Sequence, residues 1–310
     1  MVFGTNSSLI SLPLVTVIIG TKDRPELILR AVNTILNQTY SNIECLVIDS
    51  SNTNRTQELI EGIKEKKISY FRLFPDPGRI ASLNFGIEKS IGKYICFLDD
   101  DDEYMPEKIE LQVQALNNSK ENVGMAYCWA MFFDESKNEI AFYMKNTISG
   151  YAFPDALESM AFCSFPALML KKDALLDIMF SDESGYPSDW LFVARFTKKY
   201  HVVNVPKVLV KANINHMYDR MSAHKIKNKA YYIRNINFHI HFFDLFEADY
   251  RLYPKLAKVH LYSIISSSAY IKHISKWIKY SKKALELDPG TSTYNKILRS
   301  IGTLLLRYTK

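Results

Sequence analysis

The fold is decided by the stretch Leu14-Val-Thr-Val-Ile-Ile-Gly-Thr-Lys-Asp-Arg-Pro25. Its apolar run, residues 15–20, has the length of a buried β-strand, and the polar residues after it predict a loop. Proline is favoured in the first turn of a helix, and apolar residues recur at helical spacing after Pro25. The stretch therefore predicts a strand, a loop and a helix in that order.

The same alternation continues outward through the first hundred residues. The predicted strands are residues 15–20, 43–49, 68–73 and 94–98, and the predicted helices between them are residues 25–36, 56–63 and 80–90. This alternation predicts an α/β fold with a Rossmann-like, mostly parallel sheet flanked by helices. Ligands of open sheets bind beyond the carboxyl ends of the strands, so the polar residues after each strand are the first site candidates.

Four consecutive aspartates follow the strand at residues 94–98: Asp99, Asp100, Asp101 and Asp102. Such crowding of like charge is unfavourable unless a cation is present or the loop is open to water. Mg²⁺ and Mn²⁺ prefer oxygen ligands and are often held by one or two carboxylates plus substrate phosphates. The run therefore favours a divalent-cation site, and the alternative is a solvated acidic turn before the helix that opens at Pro106.

Charge divides the chain into two parts. With 310 residues, 47% of them apolar, the chain can bury one large core or one core with a smaller appendage. Residues 221–310 look helical and carry 16 Lys and Arg against 5 Asp and Glu, whereas residues 1–220 have a net charge of −5. The predicted domains are therefore an α/β domain, residues 1–220, and a basic C-terminal α-helical extension, residues 221–310.

The location and partners are predicted from simpler patterns. No run reaches the roughly 18 apolar residues of a membrane-spanning helix, and the N-terminus lacks the pattern of an export signal. The four cysteines are far apart without CxxC spacing, which is typical of buried free thiols in a reducing compartment. The sequence predicts a cytoplasmic protein without a nucleic-acid partner. Its basic helices would contact the anionic inner face of the cell membrane, or pack on the α/β domain or on a second subunit.

Five sequence blocks occur in the order found in family 2 glycosyltransferases of the GT-A fold, which the chain resembles over about residues 14–215. The first is the opening stretch with Asn37-Gln-Thr-Tyr40. The others are Leu46-Val-Ile-Asp49, Asp76-Pro-Gly-Arg-Ile-Ala-Ser-Leu-Asn-Phe-Gly-Ile87, Gly92-Lys-Tyr-Ile-Cys-Phe-Leu-Asp-Asp-Asp-Asp102, and Phe180-Ser-Asp-Glu-Ser with Ser188-Asp-Trp190. The resemblance implies a donor half, about residues 14–104, and an acceptor half, about residues 105–220.

The resemblance also implies a nucleotide diphosphate sugar as co-substrate and a divalent cation, Mn²⁺ or Mg²⁺, as cofactor. Asp99 and Asp101 would form the DxD motif, with Asp101 ligating the metal directly and Asp99 facing the ribose or the metal's waters. Asp100 is also predicted to bind the donor, although the alternation of side chains along a strand would point it away from Asp99 and Asp101. The remaining donor-binding candidates are Thr21, Asp23, Arg24, Asp49, Ser51, Arg79 and Asn84.

Two of these candidates have a structural alternative. Asp49 would face the nucleobase or ribose, or instead bond its own backbone in the turn that it opens. Arg79 would hold a phosphate, since Leu83 replaces an arginine frequent in the family, or instead lie on the surface at a helix start. Ser50 stands where many relatives have a second acid, so the resemblance does not imply uracil as the base.

The acceptor side is predicted to provide the catalytic base. An inverting transfer needs a carboxylate that takes the proton of the acceptor hydroxyl. The resemblance assigns this role to Asp189, whose alternative is a helix N-cap, and Asp182 and Glu183 are the next candidates. His216 would touch phosphate or metal, or lie in a polar loop. The acceptor pocket is expected in residues 147–165 and 218–229.

The predicted function is an inverting, metal-dependent glycosyltransferase that moves a sugar to an acceptor hydroxyl. The acceptor is a glycan, a lipid-linked molecule or a protein, in polysaccharide, glycolipid or glycoprotein glycan synthesis. Two alternatives stay open at this point: a nucleotidyltransferase with a similar acidic metal site, and a catalytically silent sugar-binding or scaffold protein.

Overall fold

A computed structural model describes residues 12–160, 163–181, 189–215 and 228–305 of the chain. The chain forms two compact units. The first consists of Met1–Ser149, Cys163–Asp177 and Val202–Asn215, and the second of Gly150–Phe162, Ile178–His201 and His216–Lys310. The predicted boundary between residues 220 and 221 stays a prediction.

The first unit is built on a mixed sheet. Its strands are β1 (Val15–Thr21), β2 (Ile43–Asp49), β3 (Ile68–Arg72), β4 (Tyr94–Asp99), β5 (Glu103–Tyr104), β6 (Val123–Asp134), β7 (Glu139–Met144), β8 (Leu168–Lys171) and β9 (His201–Ile214). The strand order is β3-β2-β1-β4-β8-β6-β9-β5, and β7 pairs with β6. Strands β3, β2, β1 and β4 are parallel, whereas β8 runs antiparallel to β4 and β6. The predicted α/β class is confirmed.

Helices cover the sheet of the first unit. They are α1 (Pro25–Leu36), α2 (Arg55–Gly62), α3 (Arg79–Lys89), α4 (Lys108–Asn117) and α6 (Lys172–Leu176), with a 3₁₀ turn at Phe165–Ala167. Helix α1 buries Ile28 and Val32 against the core that contains Val17 and Val47 of the sheet. All four cysteines are free and buried, as predicted.

A close approach aligns the parallel strands. The backbone N–H of Gly92, just before β4, donates to Oγ1 of Thr16 in β1 at 2.9 Å. A Cβ at this position would lie 2.5 Å from that oxygen and 2.6 Å from the Thr16 nitrogen, so only glycine fits. This approach accompanies the β1–β4 register, which pairs Gly20 with Asp99, and the β1–β2 register pairs Thr21 with Asp49. The carboxyl ends of β1, β2 and β4 therefore lie side by side.

The second unit is helical. Its helices are α5 (Phe153–Glu158), α7 (Asp189–Lys199), α8 (Lys229–Leu245), α9 (Glu247–Leu252), α10 (Lys258–Tyr270), α11 (Ile274–Leu287) and α12 (Thr291–Leu305), with a 3₁₀ turn at Pro254–Ala257. The predicted C-terminal helical region is thus confirmed. Among the described helices, none combines the length and the apolar character needed to cross a bilayer.

An aromatic cluster joins α7 to the C-terminal helices. The Trp190 ring lies 4.8 Å from the ring of His260 and 5.0 Å from that of Phe242, centroid to centroid. Its indole Nε1 donates to the Ala156 carbonyl at 2.6 Å. Because Trp190 directly follows Asp189, this packing fixes the first turn of α7 within the second unit.

Two buried histidines complete this cluster. Nε2 of His260 lies 3.2 Å from the Leu157 carbonyl, and the Nδ1 atoms of His239 and His260 are 2.9 Å apart. A carbonyl only accepts, so His260 carries its proton on Nε2 and accepts at Nδ1 from the Nδ1–H of His239. Burial lowers the pKa of His239 to about 4. Burial, and then repulsion from His239, lower the pKa of His260 to about 3.

The histidine pair makes the stability of the second unit depend on pH. Both pKa values are depressed in the folded protein, so the unfolded chain binds protons first as the pH falls. Their contribution is complete above about pH 6.5, and is lost toward about pH 4 at up to roughly 2.7 kcal/mol of unfolding free energy per pH unit. Thermal unfolding followed by circular dichroism between about pH 7.5 and 5 measures this slope.

The matched variants are His239→Gln and His273→Gln. Glutamine at 239 retains a donor for His260 but removes one titration, so the pH dependence should become about half as steep. His273 is exposed and its replacement should leave the slope unchanged. An unaltered slope in His239→Gln would contradict the assignment.

Candidate active site

Three loops meet at the carboxyl edge formed by β1, β2 and β4. The strand register brings their last residues side by side. The polar clusters after these strands consequently share one edge of the sheet, as the alternation predicts.

The acidic loop after β4 gathers carboxylate oxygens. Asp99 is half-buried, and Asp100, Asp101 and Asp102 are buried. Asp99, Asp101 and Asp102 each offer one oxygen, and these oxygens lie within 4.8 Å of one another. A set of oxygen ligands at this spacing fits Mg²⁺ or Mn²⁺. The residues present therefore fit the divalent cation that the sequence predicts.

Two arginines partly neutralise the acidic loop. The Arg24 guanidinium lies 3.3 Å from Oδ1 of Asp100 and 3.4 Å from Oδ2 of Asp101. The Arg79 guanidinium lies 3.0 Å from Oδ1 of Asp99 and 5.1 Å from the centre of the Phe165 ring. These cations help to explain how several carboxylates are buried together. Arg79, at the start of α3, points to the acidic loop.

Asp100 is not part of the group of converging carboxylates formed by Asp99, Asp101 and Asp102. It is buried, and its Oδ2 accepts from the Thr21 hydroxyl at 2.7 Å. Burial raises the pKa of Asp100 to about 7, although Arg24 and the Thr21 hydroxyl favour the charged form. Asp100 thus links the acidic loop to the end of β1 through Thr21 and to the residue before α1 through Arg24. A donor-binding role for Asp100 and Thr21 stays a prediction.

Asp49 and Ser51 organise the loop after β2. The buried Asp49 accepts from the backbone N–H of Ser51 at 2.8 Å and from the Tyr70 hydroxyl at 2.6 Å. The turn-forming hydrogen bond considered as the alternative for Asp49 is therefore present. The nucleoside contact of Asp49 is still a prediction.

Asp23 connects the loops after β1 and β2. Its backbone N–H donates to Oγ of Ser51 at 2.7 Å. Its carboxylate accepts from the backbone N–H and the side-chain amide of Asn52, at 2.8 and 2.6 Å. The φ angle of Asp23 is 53°, a left-handed conformation that aspartate tolerates better than most residues. The two loops are therefore fixed to each other before any ligand binds.

Two residues that the sequence reasoning missed support the acidic loop. The backbone N–H of Asn213, in β9, donates to Asp102 at 2.9 Å, and its side-chain amide donates to the Asp101 carbonyl at 2.8 Å. Arg30, in α1, donates to the same carbonyl at 2.9 Å. The sequence contained one sign of this role: Asn213 is a polar residue at the end of an apolar strand pattern, and a buried amide needs hydrogen-bond partners.

The other predicted site residues lie as follows. Asn84 is half-buried in α3, the helix that Arg79 begins, and its role stays a prediction. Asp189 is the first residue of α7, in the second unit. Asp182, Glu183 and His216 lie outside the described residues, as does most of the predicted acceptor segment 218–229.

The fold and the acidic loop are those expected of a sugar-transfer enzyme of the GT-A fold. Comparison with known proteins identifies the family within that class. Residues 16–178 match the sequence profile of Glycosyl transferase family 2. This match covers more than half of the chain, which therefore belongs to glycosyl transferase family 2.

The relatives and structures agree with this family. An uncharacterised glycosyltransferase of Methanocaldococcus jannaschii is 27% identical over 250 residues, which cover 73% of this chain and 84% of that protein. Five rickettsial relatives, also uncharacterised glycosyltransferases, are covered over only 21% to 64% of their length. The activities of those whole proteins therefore do not transfer to this chain.

Two solved structures share the fold. S. aureus TarS, residues 1–349 in complex with UDP-GlcNAc, superposes with a TM-score of 0.65 at 15% identity, over 96% of this chain and 91% of that one. The mannosyltransferase PcManGT of Pyrobaculum calidifontis, in complex with GDP-Man and Mn²⁺, gives a TM-score of 0.56 at 14% identity, over 94% and 85% of the two chains. At these identities the likeness establishes the fold alone.

Proposed function

We propose that this glycosyltransferase moves a sugar from a nucleoside diphosphate donor to an acceptor hydroxyl, with inversion at the anomeric carbon and with a divalent cation. One observation carries the proposal: three carboxylates converge at the carboxyl end of β4, with a guanidinium beside them on either side. Family membership favours sugar transfer over nucleotidyl transfer or a silent scaffold.

The acidic loop is the proposed cation site. Asp101 and Asp99 would hold Mn²⁺ or Mg²⁺, and Asp102 offers a third oxygen. When bound, the cation supplies positive charge that stabilises the leaving diphosphate. Asn213 and Arg30 hold the backbone of Asp101, so they keep its carboxylate in place.

The two arginines would share the diphosphate with the cation. Arg79 is about one-quarter exposed and Arg24 about one-fifth exposed, so both guanidiniums can reach a ligand at the sheet edge. Guanidinium groups match phosphate oxygens in a bidentate geometry. A donor phosphate would then exchange for part of their present contacts with Asp99 and Asp100.

The loops after β1 and β2 are the proposed nucleoside side of the site. Asp49, Ser51 and Asp23 are already bonded among themselves or to neighbours, so they would present a preformed surface to the base and ribose. Asn84 and Thr21 complete the proposed donor contacts. Preorganisation of this kind limits the entropy lost when the donor binds.

Asp189 is the proposed base. It would accept the proton of the acceptor hydroxyl while the hydroxyl oxygen attacks the anomeric carbon opposite the diphosphate. The bond from that carbon to the diphosphate oxygen breaks, and both electrons leave with the nucleoside diphosphate. The anchoring of Trp190 supports the role, because a general base acts only when it is held at a defined place.

We propose that the donor is a nucleoside diphosphate sugar of the kind that the structural neighbours bind. One of them is in complex with UDP-GlcNAc and the other with GDP-Man and Mn²⁺. The acceptor is proposed to be a hydroxyl of a glycan, a lipid-linked molecule or a protein.

The test is a donor hydrolysis and binding panel with the full-length protein. Nucleotide sugars, including UDP-GlcNAc and GDP-Man, are added with Mn²⁺, and the released nucleotide and the thermal midpoint are measured. Release of nucleoside diphosphate, together with a raised midpoint for the same donor, is expected. Pyrophosphate release would instead indicate nucleotidyl transfer, and neither response to any donor would contradict the proposal.

A further inference from the structure

A basic cleft lies in the second unit, and none of its described lining residues belongs to α7, the helix that carries Asp189. It is formed by the start of α8, the turn between α10 and α11, and the start of α11, and its volume is about 540 Å³. Three lysines and a histidine line it: Lys229, Lys272, Lys276 and His273. Among its described lining residues none is acidic.

Exposed isoleucines surround the cleft. Ile233, in α8, is 42% exposed, and Ile274, in α11, is 49% exposed; both line the cleft. Ile278, one turn further along α11, is 44% exposed. The indole of Trp277 instead turns inward and donates to the Ser300 hydroxyl at 2.8 Å. Helix α11 therefore has a core-facing side and a separate apolar side open to solvent.

The acidic groups of these helices lie further along them. The carboxylate of Asp244, near the end of α8, interacts electrostatically with the ammonium groups of Lys279 and Lys283. Glu286 belongs to the last turn of α11. Neither carboxylate lines the cleft, so the charged groups among its described lining residues are basic, and an anionic partner is the complementary one.

We propose that the cleft and its isoleucine rim, Ile233, Ile274 and Ile278, dock on an anionic phospholipid surface, with lipid phosphates among the lysines and the isoleucines in the interface. Lysines at a cleft mouth and large apolar residues beside them are the two features by which helices bind such surfaces. A soluble anion would explain the lysines but leave the exposed isoleucines without a role. The inference is independent of the sugar-transfer chemistry.

The test is co-sedimentation of the full-length protein with vesicles of phosphatidylcholine containing phosphatidylglycerol, against vesicles of phosphatidylcholine alone. Binding to the anionic vesicles at low salt and release at high salt are expected, because screening shortens the reach of the lysines. Lys229→Glu and Lys276→Glu should each weaken binding by at least about five-fold, because one lysine near an anionic surface strengthens binding by about that factor. Ile278→Asn should weaken binding in the same assay.

The matched control is Lys255→Glu, which reverses an exposed lysine of the same unit. Lys255 precedes Lys258, whose ammonium pairs with Asp288 beyond the other end of α11. Equal losses in Lys255→Glu and Lys276→Glu would show a diffuse charge effect and overturn the cleft assignment. Donor hydrolysis should be the same in all four variants, so failure here is distinguishable from failure of the proposed function.

Two further outcomes would overturn the proposal. Inorganic phosphate is compared with chloride at matched ionic strength: displacement from vesicles, or a raised thermal midpoint, by phosphate alone would assign the cleft to a free anion. Alternatively, full-length protein that ignores anionic vesicles but loses a dimer in Ile278→Asn, as measured by light scattering, would assign the isoleucines to a subunit interface.

Discussion

Replacing Asp101 by asparagine is expected to lower sugar-transfer turnover by about 10³-fold, because it removes a carboxylate ligand of the cation that would neutralise the diphosphate. Asparagine keeps the shape and an oxygen for Arg24, which lies 3.4 Å from the native carboxylate. The fold should therefore survive, as measured by circular dichroism. Turnover is measured as nucleoside diphosphate release with Mn²⁺ and without it.

The control for this variant is Asp173→Asn. Asp173 is an exposed aspartate of α6 in the same unit, so the change in charge is matched. It should retain turnover and its dependence on Mn²⁺, whereas Asp101→Asn should lose the enhancement of nucleoside diphosphate binding by Mn²⁺. Full turnover of the native protein in excess EDTA would rule out the metal role altogether.

Replacing Asp189 by asparagine is expected to lower turnover by about 10² to 10⁴-fold, the usual contribution of a positioned general base. The change leaves the acidic loop intact, so donor binding with Mn²⁺ should stay as in the native protein. Separate measurements of turnover and of donor affinity distinguish this result from that of Asp101→Asn.

Asp155→Asn is the matched control, because Asp155 is an exposed aspartate of α5 in the same unit. Near-normal turnover in Asp189→Asn would move the role to Asp182 or Glu183. The stereochemistry is checked independently by the anomeric coupling constant of the product: retained configuration would exclude a single inverting displacement.

The donor half of the chain was predictable because its structure is local. Strand β1 is predicted as residues 15–20 and observed as Val15–Thr21, and α1 is predicted and observed over the same residues. Apolar spacing alone distinguishes strands from helices there. The acidic loop was predictable for the same reason, since it directly follows the buried strand β4.

The remaining features depend on contacts distant in sequence. Strand β8 has only four residues, too few to show a period, yet it separates β4 from β6 in the sheet. The support of Asp101 by Asn213 joins residues 112 positions apart. The packing of Trp190 against His260 likewise has no local signature. Sequence periodicity cannot identify such partners, because they are chosen by the tertiary fold.

The alternation of the chain between its two units has a consequence for the order of events during synthesis. The chain enters the second unit at Gly150 and at Ile178, and finally at His216, so α5 and α7 are made before the helices they pack against. Trp190 leaves the ribosome well before Phe242 and His260, its ring partners. The first unit can close around its sheet earlier, once β9 is complete. The helices that pack against the first turn of α7 are therefore completed late, and a nascent chain that already has its acidic loop still lacks the packing that anchors Asp189, the proposed base.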